Sequence, residues 1–182
     1  MGVILKTIGN GEIYMSNAFK DWYADFSDEQ KKNYELCMKY PILVPRNAWT
    51  GKEVEDYDYE YTMLNHIEDG WRIAFGEEWA KEIQEVINKI PDEDRDRVYI
   101  IQLKEKFGQF RQYFSYYTDE LDTVVHKYEE LSKRICIKCG NPATKININW
   151  ISPYCDDCIN GFNNIEFIDI NEYYGGENNG SY

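Results

Sequence analysis

Apolar residues recur with helical spacing in two stretches of the chain. Between residues 77 and 90 they fall on one stripe, and Pro91 ends the predicted helix. Thr118 can cap a second helix, whose acidic first turn and basic last turn match the helix dipole. Two shorter helices are predicted over residues 16–26 and 28–40. The apolar face of the second long helix is formed by Leu121, Val124, Val125, Tyr128 and Leu131.

A pair of strands is predicted between the two longer helices. Residues 92–97 form a charged connection, and the β-branched run at 98–103 is typical of a buried strand. Gly108 lies in the predicted turn that leads to a second strand over 109–117. Residues 71–134 therefore run helix, strand, strand, helix. A small antiparallel sheet covered by helices would bury all of these apolar faces, so the expected fold class is α+β.

Acidic residues and tyrosines alternate between residues 53 and 62. The period near two predicts an extended segment with its carboxylates on one face. One interpretation is a solvated edge whose aromatic rings pack inward. The other is a negative patch that binds a basic partner.

Composition indicates a folded protein with an acidic surface. Of the 182 residues, 43% are hydrophobic and 16% aromatic, which is enough apolar surface to offset the chain entropy of folding. The formal net charge of −13 disfavours binding to polyanions such as nucleic acid. The sequence contains no apolar run long enough for a signal peptide or a membrane span. We therefore expect a cytoplasmic location and no membrane partner.

Two C-x-x-C units carry the clearest chemistry in the chain. Cys136 and Cys139 form the first unit and Cys155 and Cys158 the second, with fifteen residues between them. Two residues between cysteines let a tight turn point both sulfurs at one ion, and Gly140 supplies the permissive backbone that such a turn needs. We predict one structural Zn²⁺ held by these four cysteines.

The segment between the two units predicts a β-hairpin. Residues 144–151 alternate as a strand does, and a hairpin from the first unit to the second is the zinc-ribbon arrangement. About 25 residues cannot bury a sufficient core without the metal. Four cysteines leave no open coordination position, so the ion is expected to stabilise the fold and not to act in catalysis. The expected organisation is an α+β body over 1–134, a zinc-ribbon module over 135–160, and an acidic extension with a mobile tail over 161–182.

Other roles for the cysteines are compatible with the spacing. Iron in a rubredoxin-like site uses the same four thiolates. A redox-active pair would need only one C-x-x-C unit beside a βαβ unit, and two disulfides would suit a secreted protein. The fifth cysteine, Cys37, lies on a predicted helix and is expected to be a small buried apolar residue.

The sequence offers little that points to catalysis. His66 and His126, the two histidines, are not needed as metal ligands and are expected to be structural or exposed. The chain has no Ser-His-Asp order, phosphate-binding loop or dinucleotide-binding fingerprint. We assign no catalytic residue and expect that the protein is not an enzyme.

A basic and aromatic stretch is the best candidate for contact with nucleic acid. Residues 104–117 interleave Lys104, Lys106 and Arg111 with aromatic residues. Proteins bind single-stranded nucleic acid with such combinations of cations and stacking rings. Alternating aromatic residues on a strand are more often part of the core, and the net charge opposes a polyanion.

Four stretches of the chain carry a family resemblance. They are GWRIAFGEEW at 70–79, IQLKEKFGQFRQY at 101–113, KYEELSKRICIKCGNPAT at 127–144 and WISPYCDDC at 150–158. Together they resemble a family of uncharacterised small proteins, found in phages, prophages and bacteria, that end in a zinc-ribbon-like C-x-x-C pair. The resemblance covers residues 40–160, and Gln109 stands where a second glycine is common. It implies only the four cysteines as functional residues, and a bacterial host cytoplasm as the location if the protein is phage-encoded.

These features favour a non-enzymatic zinc-binding accessory protein of a phage or mobile element. It would act by binding another protein, and a host-directed or counter-defence role that mimics the charge of nucleic acid is one specific form of this hypothesis. The first alternative is a nucleic-acid-binding or transcription-related zinc ribbon that uses the basic stretch together with Lys138 and Lys145. The second alternative is an enzyme of unknown class.

Overall fold

The computed structural model describes residues 6–7, 13–14 and 23–176 of the chain. Within them the protein combines helices with small antiparallel sheets, and its class is α+β as the sequence predicts. Strand β1 (Lys6–Thr7) pairs antiparallel with β2 (Ile13–Tyr14). The helix predicted over 16–26 falls mainly on residues 16–22, which lie outside the described residues, as do positions 177–182 of the predicted tail.

Helix α1 (Asp28–Lys39) begins at a capping box. The Ser27 hydroxyl accepts from the Gln30 N–H at 3.1 Å, and the Gln30 side chain accepts from the Ser27 N–H at 2.9 Å. Pro41 ends the helix and opens a short 3₁₀ turn, Pro41–Leu43. A second 3₁₀ turn, Met63–His66, leads to the next helix.

A long helical run forms one wall of the core. Helix α2 (Asp69–Trp71) continues through a π-helical turn, Arg72–Gly76, into helix α3 (Glu77–Ile87). The predicted stripe is confirmed, because Trp79, Ile83 and Ile87 are buried. The helix begins earlier than predicted, since the glycines in this stretch weaken the helical signal of the sequence. Helix α4 (Asp92–Arg95) follows as a short turn.

The predicted strand pair is a β-hairpin packed against a helix. Strand β3 (Ile100–Lys106) pairs antiparallel with β4 (Gln109–Phe114), and Leu103 lies opposite Gln112. Helix α5 (Asp119–Ser132) follows, and the Thr118 hydroxyl caps it by accepting from the Leu121 N–H at 3.2 Å. Helices α3 and α5 and the hairpin enclose the main core, as the helix, strand, strand, helix pattern predicts.

Aromatic rings fill the centre of this core. Phe110 is fully buried, and its ring centroid lies 5.5 Å from that of Trp79 and 6.2 Å from that of Trp71. Gln112 is a buried polar residue among them: it accepts from the Trp79 indole N–H at 2.6 Å and donates to the Val125 carbonyl at 3.1 Å. The indole N–H is therefore satisfied inside the core, as buried polar groups must be.

A second sheet forms the C-terminal part of the described chain. Strand β5 (Lys145–Asn147) lies between β6 (Ser152–Tyr154) and β7 (Phe167–Asp169), and both pairings are antiparallel. Short helices α6 (Asp156–Ile159) and α7 (Ile170–Gly176) complete this part. Ala143, Ile146 and Ile170 form its small separate core.

Residues 53–62 do not form the extended segment that was predicted. Asp56 and Tyr59 have positive φ angles of 56° and 63°, so the chain curls. Because of these bends the Tyr57, Tyr59 and Tyr61 rings meet, with centroids 4.5 Å and 5.8 Å apart for successive pairs. The carboxylates between them stay exposed, but they do not line one face of a strand.

Among the described residues, no helix has the combination of length and apolar character that crossing a membrane requires.

Candidate metal centre

Four cysteine sulfurs converge near the C-terminus. The Sγ atoms of Cys136, Cys139, Cys155 and Cys158 all lie within 4.8 Å of one another, and those of Cys139 and Cys155 are 3.5 Å apart. Sulfurs that bind one ion tetrahedrally at about 2.3 Å are about 3.8 Å from one another. The four thiols therefore have the spacing of a set that could hold one metal ion.

A tight turn positions the first pair. The Cys136 N–H donates to the Asn141 carbonyl at 2.7 Å, and the Gly140 N–H donates to the Cys136 carbonyl at 3.0 Å. Gly140 has a φ of +82°, in the region that favours glycine, so the glycine expected from the sequence occupies the position where it is needed. This turn points Cys136 and Cys139 in the same direction.

The β5–β6 hairpin brings the second pair to the first. Cys155 follows β6 directly and begins helix α6, and the Cys158 N–H donates to the Cys155 carbonyl at 3.1 Å. The two pairs are joined by the Ile137 N–H, which donates to the Pro153 carbonyl at 2.9 Å. The hairpin predicted between the cysteine pairs is therefore present.

Electrostatics inside the cluster differ from one sulfur to another. Burial acts to raise the pKa of Cys136, but N–H groups of Cys155, Cys139 and Lys138 donate to its sulfur and bring the pKa down to about 7. Burial raises the pKa values of Cys155 and Cys158. A cation at the centre of the cluster would supply the charge that stabilises several adjacent thiolates, so the donor set fits a metal ion.

The first cysteine pair packs directly on the helical body. The Gly70 N–H donates to the Ile137 carbonyl at 2.9 Å, and the Trp71 indole N–H donates to the Ile135 carbonyl at 3.1 Å. A Cβ on Gly70 would lie only 2.1 Å from the Cys136 carbonyl oxygen. Sequence reasoning missed Gly70, because no local pattern relates position 70 to position 136.

Cys37 and the two histidines lie outside the cluster. Cys37 is fully buried with its sulfur 3.8 Å from the Tyr57 hydroxyl, and burial raises the pKa of its thiol to about 11. His66 and His126 are exposed. Within the described part of the chain, the four cysteines are the one group of His, Cys, Asp and Glu side chains arranged to hold a metal ion.

The basic residues predicted for nucleic-acid contact share one face of the β3–β4 hairpin. Lys104 lies opposite Arg111, and Lys106 is two residues further along the same strand. Arg111 is already engaged by the Glu129 carboxylate at 3.1 Å. Phe110 and Phe114 are buried, as the core interpretation predicts, whereas Phe107 and Tyr113 are exposed.

The donor set and its geometry are the basis for assigning this site. No protein-family model, curated protein or solved structure matches the chain.

Proposed function

We propose that Cys136, Cys139, Cys155 and Cys158 hold one structural Zn²⁺, and that the chain is a non-enzymatic zinc-ribbon protein that acts by binding another protein. The convergence of four sulfurs within 4.8 Å carries the metal part of this proposal. Zn²⁺ suits four thiolates because it accepts tetrahedral sulfur ligation and has no redox chemistry to control.

The zinc-ribbon assignment is supported by the connection between the cysteine pairs. Strands β5 and β6 form a hairpin that starts after the first pair and ends at the second. Its apolar core is small, with Ile146 as the only fully buried side chain among Ala143, Ile146 and Ile170. Metal coordination would supply the stability that so little burial cannot.

A structural role for the ion follows from the ligand count. Four protein thiolates complete the tetrahedron, so water or a substrate has no coordination position to occupy. When bound, the ion would fix the two cysteine turns relative to each other and to Gly70, whose N–H group binds the first turn.

An acidic surface around clustered tyrosines supports the protein-binding part of the proposal. We call the group of Tyr23, Phe26, Tyr34, Tyr57, Tyr59 and Tyr61 the tyrosine cluster; its rings are linked by centroid distances between 4.5 Å and 6.1 Å. Glu55, Asp58 and Glu60 are exposed; Asp58 and Glu60 alternate with its tyrosines, and Glu55 precedes them. Tyrosine is enriched at protein interfaces, and the surrounding charge would select a basic partner.

The biological setting in the proposal is a phage or mobile element acting in a bacterial cytoplasm. It is supported by the resemblance of residues 40–160 to phage and prophage proteins, and by paired cysteines, which suit a reducing compartment. A host-directed or counter-defence role is the specific form we propose, since a net charge of −13 can mimic nucleic acid toward a basic host protein.

Elemental analysis of purified, tag-free protein tests the metal assignment. We expect about one zinc per chain, the same content in Cys37→Ala, and loss of the metal in Cys136→Ser. Iron in place of zinc, or no transition metal at all, would contradict the assignment.

Partner capture from host lysate tests the protein-binding role. The probe is the full chain, compared with a variant that neutralises Glu55, Asp58 and Glu60 as Gln, Asn and Gln. A matched control removes three charges elsewhere, at Asp92, Glu93 and Asp96. We expect a basic protein to be captured by the wild type and the control but not by the first variant. Equal capture by all three proteins, or capture of no basic protein, would contradict the proposal.

A further inference from the structure

Phe107 is held in a backbone conformation that phenylalanine rarely adopts. Its φ is +53°, and that of the following Gly108 is +74°, so the two-residue turn between β3 and β4 needs positive φ at both positions. Asn-Gly is the usual solution for such a turn, and an L side chain is disfavoured there. Phe107 is nevertheless 64% exposed. Neither the turn nor core packing accounts for a phenylalanine at this position, which points to function.

Trp150 is exposed beside Phe107, in the C-terminal sheet region. It lies between β5 and β6 and is 72% exposed. Phe107 and Trp150 line the same cavity of about 420 Å³, together with Ile148 and Ile151. The turn of the hairpin rests on this loop, because a Cβ on Gly108 would lie 3.1 Å from the Ile151 carbonyl oxygen. We call this site the Phe107–Trp150 cleft.

Cations lie next to exposed rings on this side of the molecule. The Lys106 Nζ is 5.4 Å from the centre of the Phe107 ring, and the Lys104 Nζ is 4.8 Å from that of Tyr113. The strand register places Lys104, Lys106 and Tyr113 on the same face of the hairpin, opposite the buried Phe110. Groups that bind phosphate and surfaces that stack on bases are therefore adjacent.

The negative charge of the chain is concentrated in other segments. Residues 98–151 carry eight Lys or Arg and six Asp or Glu, against twelve and twenty-seven in the rest of the sequence. Glu105 lines the cleft but accepts from the Gly108 N–H at 2.7 Å, and Glu68 and Asp69 line an adjoining cavity with Trp150. Because salt at 0.1 M screens charges beyond about 10 Å, local charge decides the attraction. The electrostatic attraction from the charges near the cleft is modest, so stacking must supply most of the affinity for nucleic acid.

We propose that the Phe107–Trp150 cleft binds single-stranded nucleic acid. Bases stack on the two rings, and phosphates lie near Lys104 and Lys106. A protein hot spot would be depleted of charge at its centre, whereas here a lysine lies beside the Phe107 ring. The site is separate from the tyrosine cluster and goes beyond the proposed protein-binding function.

Binding of fluorescein-labelled single strands to the full, zinc-loaded chain tests this site. The probes are oligothymidylate and oligouridylate of about 16 nucleotides, which is the largest number of nucleotides that one small single-strand-binding domain usually covers. We expect a rise in anisotropy that weakens with salt, together with quenching of tryptophan emission. Trp150→Ala and Phe107→Asn should each weaken binding by about tenfold or more. Lys104→Ala with Lys106→Ala should lower the salt slope by about 1 to 2.

Trp49→Ala is the matched control for the aromatic substitutions. Trp49 is 94% exposed and does not line the cleft, so this variant should bind as the wild type does. Phe107→Asn places the favoured residue in the turn, and far-UV circular dichroism should show that it folds. The proposal is wrong if neither probe binds at low salt, if the cleft variants bind as tightly as the wild type, or if Trp49→Ala weakens binding equally. Loss of a captured protein from the cleft variants, without any oligonucleotide binding, would identify a protein-docking site instead.

Discussion

Gly70 and Cys136 are in direct backbone contact across 66 positions of sequence: a Cβ on Gly70 would lie 2.1 Å from the Cys136 carbonyl oxygen. Next to this contact, the Gly70 N–H donates to the Ile137 carbonyl at 2.9 Å. This contact joins the long helical run to the first cysteine turn. The position of that turn therefore depends on Gly70, although glycine has no side chain that could bind a metal.

Gly70→Ala should destabilise the protein by about 2 kcal/mol or more, since the new methyl group would displace backbone that cannot move freely. Urea unfolding at a fixed zinc concentration measures the change. Gly76→Ala is the control, because its Cβ would meet Arg72 Cγ at an ordinary 3.5 Å. There we expect a gain of about 0.5 to 1 kcal/mol from reduced chain entropy. Equal effects at both glycines would contradict the contact.

Cys158→Ser should release the metal and loosen the C-terminal sheet while most of the helical signal persists. The small core around Ile146 cannot hold strands β5 to β7 without coordination. Limited proteolysis should then cut within residues 140–176, and far-UV circular dichroism should retain the signal of helices α3 and α5. Cys37→Ala should keep both the metal and the protease resistance. A variant that unfolds completely would show that the two parts are not independent.

Gln112→Leu should cost about 1 to 3 kcal/mol of stability. Gln112 is 3% exposed and accepts from the Trp79 indole at 2.6 Å, so leucine would leave a buried N–H without a partner. Chemical denaturation measures the loss. Gln102→Leu, on the exposed face of the neighbouring strand, should change stability by less than about 0.5 kcal/mol. Similar losses at both positions would argue against the buried hydrogen bond.

Phe107→Asn should raise stability by about 1 kcal/mol, because asparagine tolerates the left-handed conformation that phenylalanine resists. Gly108→Ala should lower the stability, since it adds strain at a φ of +74° and places a Cβ 3.1 Å from the Ile151 carbonyl oxygen. Thermal and urea unfolding of both variants provide the measurement. A loss of stability in Phe107→Asn would mean that the ring stabilises the fold, and its exposure would then need no functional explanation.

Cys37 should make stability depend on pH in the alkaline range. Burial raises the pKa of its thiol from 9.0 to about 11, so the folded state disfavours the thiolate. The resulting stabilisation is fully present well below pH 9 and is lost as the pH rises through 11. The total loss is at most about 3 kcal/mol. The difference between wild type and Cys37→Ala measures this effect together with the part of the pKa rise of Tyr57 and Tyr59 that comes from Cys37. A difference that does not change between pH 8 and 11 would contradict it.

The sequence by itself determined the features that depend on near neighbours in the chain. The spacing of Cys136 and Cys139, with Gly140 after them, predicts a turn because two intervening residues set the geometry of one. The apolar stripe of α3 and the Thr118 cap of α5 likewise depend on residues that are close in sequence, and the structure has both. The hairpin turn at Gly108 follows from the same kind of signal.

Only the tertiary structure decided which distant segments meet. Strand β7 pairs with β5, and Gly70 lies against Cys136. The Tyr57, Tyr59 and Tyr61 rings gather where the sequence predicts an extended segment. Phe107 and Trp150 line one cleft although they lie 43 positions apart in the sequence. Such contacts arise from burial and hydrogen bonding between segments far apart in sequence. Hydrophobic periodicity predicts which face of a helix or strand is buried, but it does not predict which other segment covers that face.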